Sequence, residues 1–218
     1  SDPSAISLIQ LESDQACVSK MSMVDMGGYV IYASPDGLVT VQGQQIQLVT
    51  DALLRRAQWQ AYNPTTLKAM NYEGTYIASN ATQSIVFDPR AAKNALSTIS
   101  DTFKAAYNHL ETDTLYFVDS TSVKKFGQGS GSYTLTWKSK PFVSAQPRNF
   151  GWARLDAASY PVTFKLYTDS TLEFTYSVLN SDPFRLPSAS RARSWEFEVS
   201  GTASVNSVSI ADNVAELL

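Results

Sequence analysis

Three scarcities limit what this chain can be. It has one cysteine, Cys17, and one histidine, His109, in 218 residues. A lone cysteine excludes an intrachain disulfide and a thiolate metal cluster within one chain, and Cys17 reads as a small buried residue on a strand. A lone histidine excludes a zinc site built from several imidazoles. It also forces any Ser-His-Asp arrangement through "AAYNHLETD", where no strand-to-helix nucleophile elbow precedes it. Ser130 in "GQGSGS" sits between glycines but lacks that context, so His109 reads as a polar loop residue. Charge is the third scarcity: Asp, Glu, Lys and Arg make up 17 % of the chain, with a net charge of -3. Basic residues cluster no further than pairs such as Arg55-Arg56 and Lys124-Lys125, so nucleic acid and anionic membrane have no electrostatic footprint. No apolar run is long enough for a membrane span, and no charged start with an apolar stretch suggests a signal peptide. The chain opens Ser1-Asp2-Pro3 without Met, which reads as either a trimmed chain or a piece of something longer.

What the chain does contain is short runs of period-two alternation, rich in Tyr, Val, Thr, Phe and Trp and bounded by Gly, Pro, Asp and Asn. In the first half, "ACVSKMSMV", "GYVIYAS", "LVTV", "GTYIAS", "SIVFD" and "TLYFVDS" read as strands. In the second half, "SYTLTWKSKPF", "GWARLDA", "VTFKLYT", "TLEFTYSV", "SWEFEVSG" and "ASVNSVSIA" follow with little between them. One helix is expected over about 51–62, with Thr50 as N-cap and Leu53, Leu54, Ala57 and Ala61 on one face before Asn63-Pro64. The stretch 91–110 reads as a loop with short helical turns.

Tyr32, Tyr76 and Tyr116 lie 44 and then 40 residues apart in similar strands, a spacing that suits the blades of a propeller. Three such blades do not close a ring. The Gly- and Ser-rich stretch "KKFGQGSGSY" marks a boundary. The fold expected is mainly β: an incomplete propeller-like sheet region with one short helix over 1–127, then an antiparallel β-sandwich over 128–218.

Paired carboxylates are the one route to an enzyme. Glu196 and Glu198 share a strand face, and Asp169 and Glu173 flank the "TDST" turn, but alternation alone explains them as solvated residues. "SPDG" reads as a hairpin turn in which Pro35 presets a dihedral, Asp36 caps and Gly37 takes a positive φ. Trp137, Trp195, Phe164 and Phe174 sit in alternating strands where core is the default. No catalytic, cofactor-binding or metal-binding residue is assigned. The candidate contact surface is "PFRLPSASRARSW", where Phe184 and Leu186 stand beside Arg185, Arg191 and Arg193, a combination typical of interface hot spots. The rival reading is a loop that folds back on its own domain, with Phe184 plugging the edge.

Taken in order, "ACVSKMSMVDMGGYVIYASPDGLVTV", "QLVTDALLRRAQWQAYNPTTLKAMNYEGTYIA", "DTLYFVDS", "LTWKSKPF" and "PFRLPSASRARSWEFEVSGTASVNSVSIADNVAEL" resemble a family of tail-associated structural proteins of tailed bacteriophages and prophages. The resemblance covers most of the chain and includes no catalytic motif. It implies a non-enzymatic virion tail component, made in the host cytoplasm. Its partners would be other tail proteins and copies of itself, and further N-terminal sequence would supply the missing blades. The alternative is a carbohydrate- or receptor-binding β-sandwich module, with a host-surface glycan as partner; a glycoside hydrolase comes third.

Overall fold

A computed structural model describes residues 13–91, 96–128, 133–187 and 191–217. The chain is mainly β, built from antiparallel sheets with one short helix, and it divides into two compact units, Ser1–Gln128 and Gly129–Leu218. Among the described residues no sheet closes into a ring or barrel.

The first unit holds three meanders. The first sheet is β1 (Val24–Asp25), β2 (Val30–Ala33), β3 (Leu38–Gln42) and β4 (Gln45–Leu48). The second is β5 (Lys68–Tyr72), β6 (Thr75–Ser79), β7 (Ser84–Phe87) and β8 (Leu96–Ile99). The third has, among the described residues, three strands: β9 (Ala105–His109), β10 (Thr114–Val118) and β11 (Val123–Lys125).

One turn recurs in all three, between the second and third strands. At its first position the backbone N–H of Ser34, Asn80 or Asp119 donates to the carbonyl three residues on, in Gly37, Gln83 or Ser122. The side chain of the same residue accepts from backbone N–H groups two and three residues on, inside the same turn. Ser34 Oγ accepts from Asp36 and Gly37, Asn80 Oδ1 from Thr82 and Gln83, and Asp119 Oδ1 from Thr121 and Ser122. Three different residues do one job, because each offers a short-armed oxygen acceptor.

Counting back from that turn sets the faces of each second strand. The first and third residues before it, Ala33 and Ile31, pack with Tyr76 and Ala78, which lie at even positions of the second sheet. Ile77, the third residue before its own turn, packs instead with Leu115 and Phe117, at even positions of the third sheet. Odd positions thus point forward along the stack and even ones back, as the two-residue period of a strand requires. The three tyrosines at the 44- and 40-residue spacing are therefore not equivalent: Tyr32 and Tyr76 lie at even positions and Tyr116 at an odd one.

Several local expectations are corrected. The α-helix α1 covers only Arg56–Gln60, because Thr50 Oγ1 accepts from the Leu38 N–H at 2.9 Å and ties the start of β3 instead of capping a helix. Trp59, fully buried, is its anchor, and its indole N–H donates to Ser34 O at 2.8 Å. Residues 16–24 hold a 3-10 turn at Lys20–Ser22 and only the start of β1. Cys17 is exposed, its thiol donating to Ser19 O. The described residues of the stretch 91–110 carry β8 and β9 in place of the expected helical turns, and 92–95 lie outside the described residues. The expected linker begins in a strand, since Lys124 and Lys125 belong to β11 and Phe126 packs near Phe117. Gly37 does not adopt a positive φ; a Cβ there would run into Thr50 Oγ1 and lie 2.9 Å from Leu48 Cδ1.

The second unit has two sheets. The larger runs β12 (Leu135–Lys138), β18 (Ala192–Gly201), β15 (Val162–Thr168), β16 (Thr171–Val178), and β13 (Phe142–Arg148) also pairs with β18. The smaller runs β17 (Phe184–Arg185), β14 (Trp152–Ala157), β19 (Val205–Ala211). Leu155 of the smaller sheet and Phe164, Trp195, Phe197 and Val199 of the larger lie in one apolar cluster. β12 and β13 form one edge, broken at Ser139-Lys140-Pro141. There Ser139 N–H donates to Phe197 O, and its hydroxyl accepts from Phe197 N–H. A side-chain oxygen thus replaces a ladder carbonyl where the edge bulges.

The β15–β16 hairpin turns on Asp169 and Ser170, both at positive φ, +45° and +69°. A two-residue turn of this hand favours glycine at its second position. Ser170→Gly is expected to stabilise the second unit by about 1 kcal/mol, read as a raised midpoint in urea; an unchanged or lower midpoint would contradict the turn geometry.

Candidate docking surfaces

The forward face of the third sheet is the first candidate. Tyr116 and Val118 occupy the positions that Ile77 and Ser79 hold in the second sheet, as third and first residues before the turn. Tyr107 and Lys125 pair with Tyr116, and Ala105 and Val123 pair with Val118, so all share that face. Tyr107 is 60 % exposed and Val123 65 %, and Tyr116 and Val118 are half-buried. Lys125 Nζ lies 5.8 Å from the Tyr116 ring centre, and Tyr107 meets His109 edge-on. The back face of the first sheet is covered by contrast: Val39 is fully buried, and Tyr32 donates its hydroxyl to Gln15 O.

The second candidate is the β12–β13 edge. Trp137 and Phe142 both contact Phe197, at ring separations of 5.7 and 5.9 Å, yet remain 49 % and 45 % exposed. The expectation that Trp137 is core is corrected, while Trp195 and Phe164 are core as expected. Trp137 stands on β12, which pairs with β18 at the end of the strand order. A groove of about 330 Å³ opens there, lined by Leu135, Trp137, Val205, Asn206, Ser207 and Val208 among others. A larger concavity of about 610 Å³ lies under β13, between Phe142, Arg148, Phe150 and Trp195.

The loop singled out in the sequence behaves differently. Phe184 and Leu186 are buried in the unit's own core, and Phe184 stacks on Tyr176 at 4.7 Å and meets Phe164 edge-on. Both pack in the apolar cluster that residues of the two sheets form. Arg185, Arg191 and Arg193 stay exposed, with the Arg185 guanidinium 5.8 Å from the Trp152 ring centre. Residues 188–190 of that loop lie outside the described residues, as does Ser130.

Glu196 and Glu198 are paired with lysines in place. Glu196 pairs with Lys138 at 3.1 Å, and Glu198 pairs with Lys165 at 2.8 Å and accepts from Tyr167 Oη at 3.1 Å. Lys138 Nζ sits 3.9 Å over the Tyr167 ring. The hydrogen bond from Lys165 outweighs desolvation and holds Glu198 below its ordinary value of 4.5, while Lys165 is pushed up. A depressed carboxylate is the wrong direction for a general acid. It stabilises the fold at pH above the unfolded value, and that contribution fades as pH falls through the lowered folded value. Lys165→Met is therefore expected to lower stability near pH 7 and to flatten its loss below about pH 4.5, followed by thermal melts across pH; an unchanged acid limb would contradict the pair's role. Asp169 accepts from the Ser194 N–H at 3.0 Å, and His109 Nδ1 lies 2.9 Å from Thr112 Oγ1 at the end of β9.

No protein-family model matches the chain, and a search of curated proteins finds no match.

Proposed function

We propose that the chain is a non-enzymatic structural component of a phage or prophage tail, working through protein–protein contacts in the virion. In this reading the first unit is an incomplete propeller-like stack and the second an antiparallel β-sandwich. One observation carries it. The forward face of each of the first two sheets is filled by the next sheet, and the forward face of the third presents Tyr107, Tyr116, Val118 and Val123 to solvent. Burial of such a face is favourable by roughly 25 cal/mol per Å² of apolar surface, so a further sheet, from the same gene product or a neighbouring subunit, is its natural cover. The resemblance to tail structural proteins and the ion-paired Glu196 and Glu198 support the same reading. Genes flanking the coding sequence test it: capsid, portal or tail genes are expected, and polysaccharide-use genes would overturn it.

A second reading, a carbohydrate-binding sandwich, draws on the groove where half-exposed Trp137 stands beside Asn206 and Ser207. A flat indole next to an amide and a hydroxyl can stack on and hydrogen-bond a sugar. Saturable quenching of tryptophan fluorescence by oligosaccharides, abolished in Trp137→Ala, would favour it.

A further inference from the structure

The concavity under β13 is made by an irregular edge strand. Val143 pairs with Ser194 and Arg148 with Ala192, so residues 144–147 have no one-to-one partners and bow away from β18. Ser144 Oγ steadies the bow by donating to Gln146 O at 2.6 Å. Beneath it, Phe142, Phe150 and the buried Trp195 form an apolar floor, with Phe150 edge-on to Trp195 at 5.1 Å. The opening, about 610 Å³, is the size of a ligand pocket.

Its surroundings carry more positive than negative charge. Neither 120–155 nor 183–195 contains an Asp or Glu, and β13 and the start of β18 come from those two stretches. Lys140 stands at one end of β13 and Arg148 at the other, where its partner Ala192 is flanked by Arg191 and Arg193. None of the ion pairs among the described residues uses these four cations. Of the acids near this edge, Asp169 accepts from the Ser194 N–H, and the backbone carbonyl of Asp212 lies beside Gly151.

We propose that this edge binds an acidic, extended peptide segment of a partner protein, one apolar or aromatic side chain of which enters the concavity. The cations lie along the strand from Lys140 to Arg148, a span that a small anion does not bridge. The exposed backbone of residues 142–146 adds donors and acceptors that an extended peptide matches. A nucleic-acid strand fits less well, since the cations are few and the chain as a whole is negative. Opposite charge supplies complementarity and register, and the apolar floor supplies the anchor. The proposal concerns the second unit only and does not depend on what covers the third sheet.

The test uses the full chain and dye-labelled synthetic octapeptides read by fluorescence anisotropy. One alternates Glu with Phe, a second replaces every Glu with Gln, and a single-stranded oligonucleotide of like charge serves as the third probe. The Glu/Phe peptide is expected to bind saturably, at least tenfold more tightly than the Gln version, and to weaken with salt. Arg148→Gln and Arg193→Gln together are expected to weaken it about tenfold while leaving the melting temperature unchanged. Equal binding of the Glu and Gln peptides, no effect of the arginine substitutions, tighter binding of the oligonucleotide, or no saturable binding would each overturn the proposal.

Discussion

Trp59→Ala is expected to destabilise the first unit by about 4 kcal/mol, in the range for deleting a fully buried indole. Trp59 is the one fully buried side chain that α1 contributes. It packs in the cluster shared by the first and second sheets, and its Nε1–H satisfies Ser34 O, the carbonyl of the residue that builds the first repeated turn. Removing it opens a cavity and also leaves a buried carbonyl without its donor. Trp59→Phe keeps most of the apolar volume and loses only the hydrogen bond, so its cost is expected to be less than half as large. Urea denaturation of both variants checks this. Equal costs would mean that the hydrogen bond, and not the packing, dominates.

Gly37→Val is expected to cost about 3 kcal/mol and Gly37→Ala about 2 kcal/mol, the scale of overpacking a tight site. The cause is close approach: an added Cβ meets Thr50 Oγ1, the atom that accepts from Leu38 N–H and starts β3. A double-mutant cycle tests this. If Thr50 is the obstacle, Gly37→Ala costs markedly less in a Thr50→Ala background. Additive costs would show that Thr50 is not the obstacle and leave the Leu48 methyl as the close contact.

The second unit was the more legible in sequence, for a physical reason. Its strands bury one face in a single core, so "SWEFEVSG" alternates Trp195, Phe197 and Val199 inward with Glu196 and Glu198 outward. Strands of the first unit are harder to read. In β5, "KAMNY", every residue is half-buried, and in β9, "AAYNH", the helix-favouring Ala106 and Ala105 stand opposite Phe117 and Val118. The repeated turn was hidden because Ser34, Asn80 and Asp119 share a role and not a letter. The exposure of Trp137 was out of reach as well: alternation tells which face a residue takes, but not whether the opposing sheet extends far enough to cover it. Phe184 and Leu186 illustrate the converse. Their neighbouring arginines suggested an interface, and the core of the unit itself claimed them.

The most direct measurement of the central claim, that the forward face of the third sheet is a docking surface in an assembled tail, is site-specific photocrosslinking. A benzophenone amino acid is placed at Val123 in the full chain expressed during particle assembly, with exposed Leu179 as the control position. The account predicts a crosslink from Val123 to one defined protein of the purified tail particle. Purified particles that lack the chain, or that contain it with no more crosslinking from Val123 than from Leu179, would contradict it.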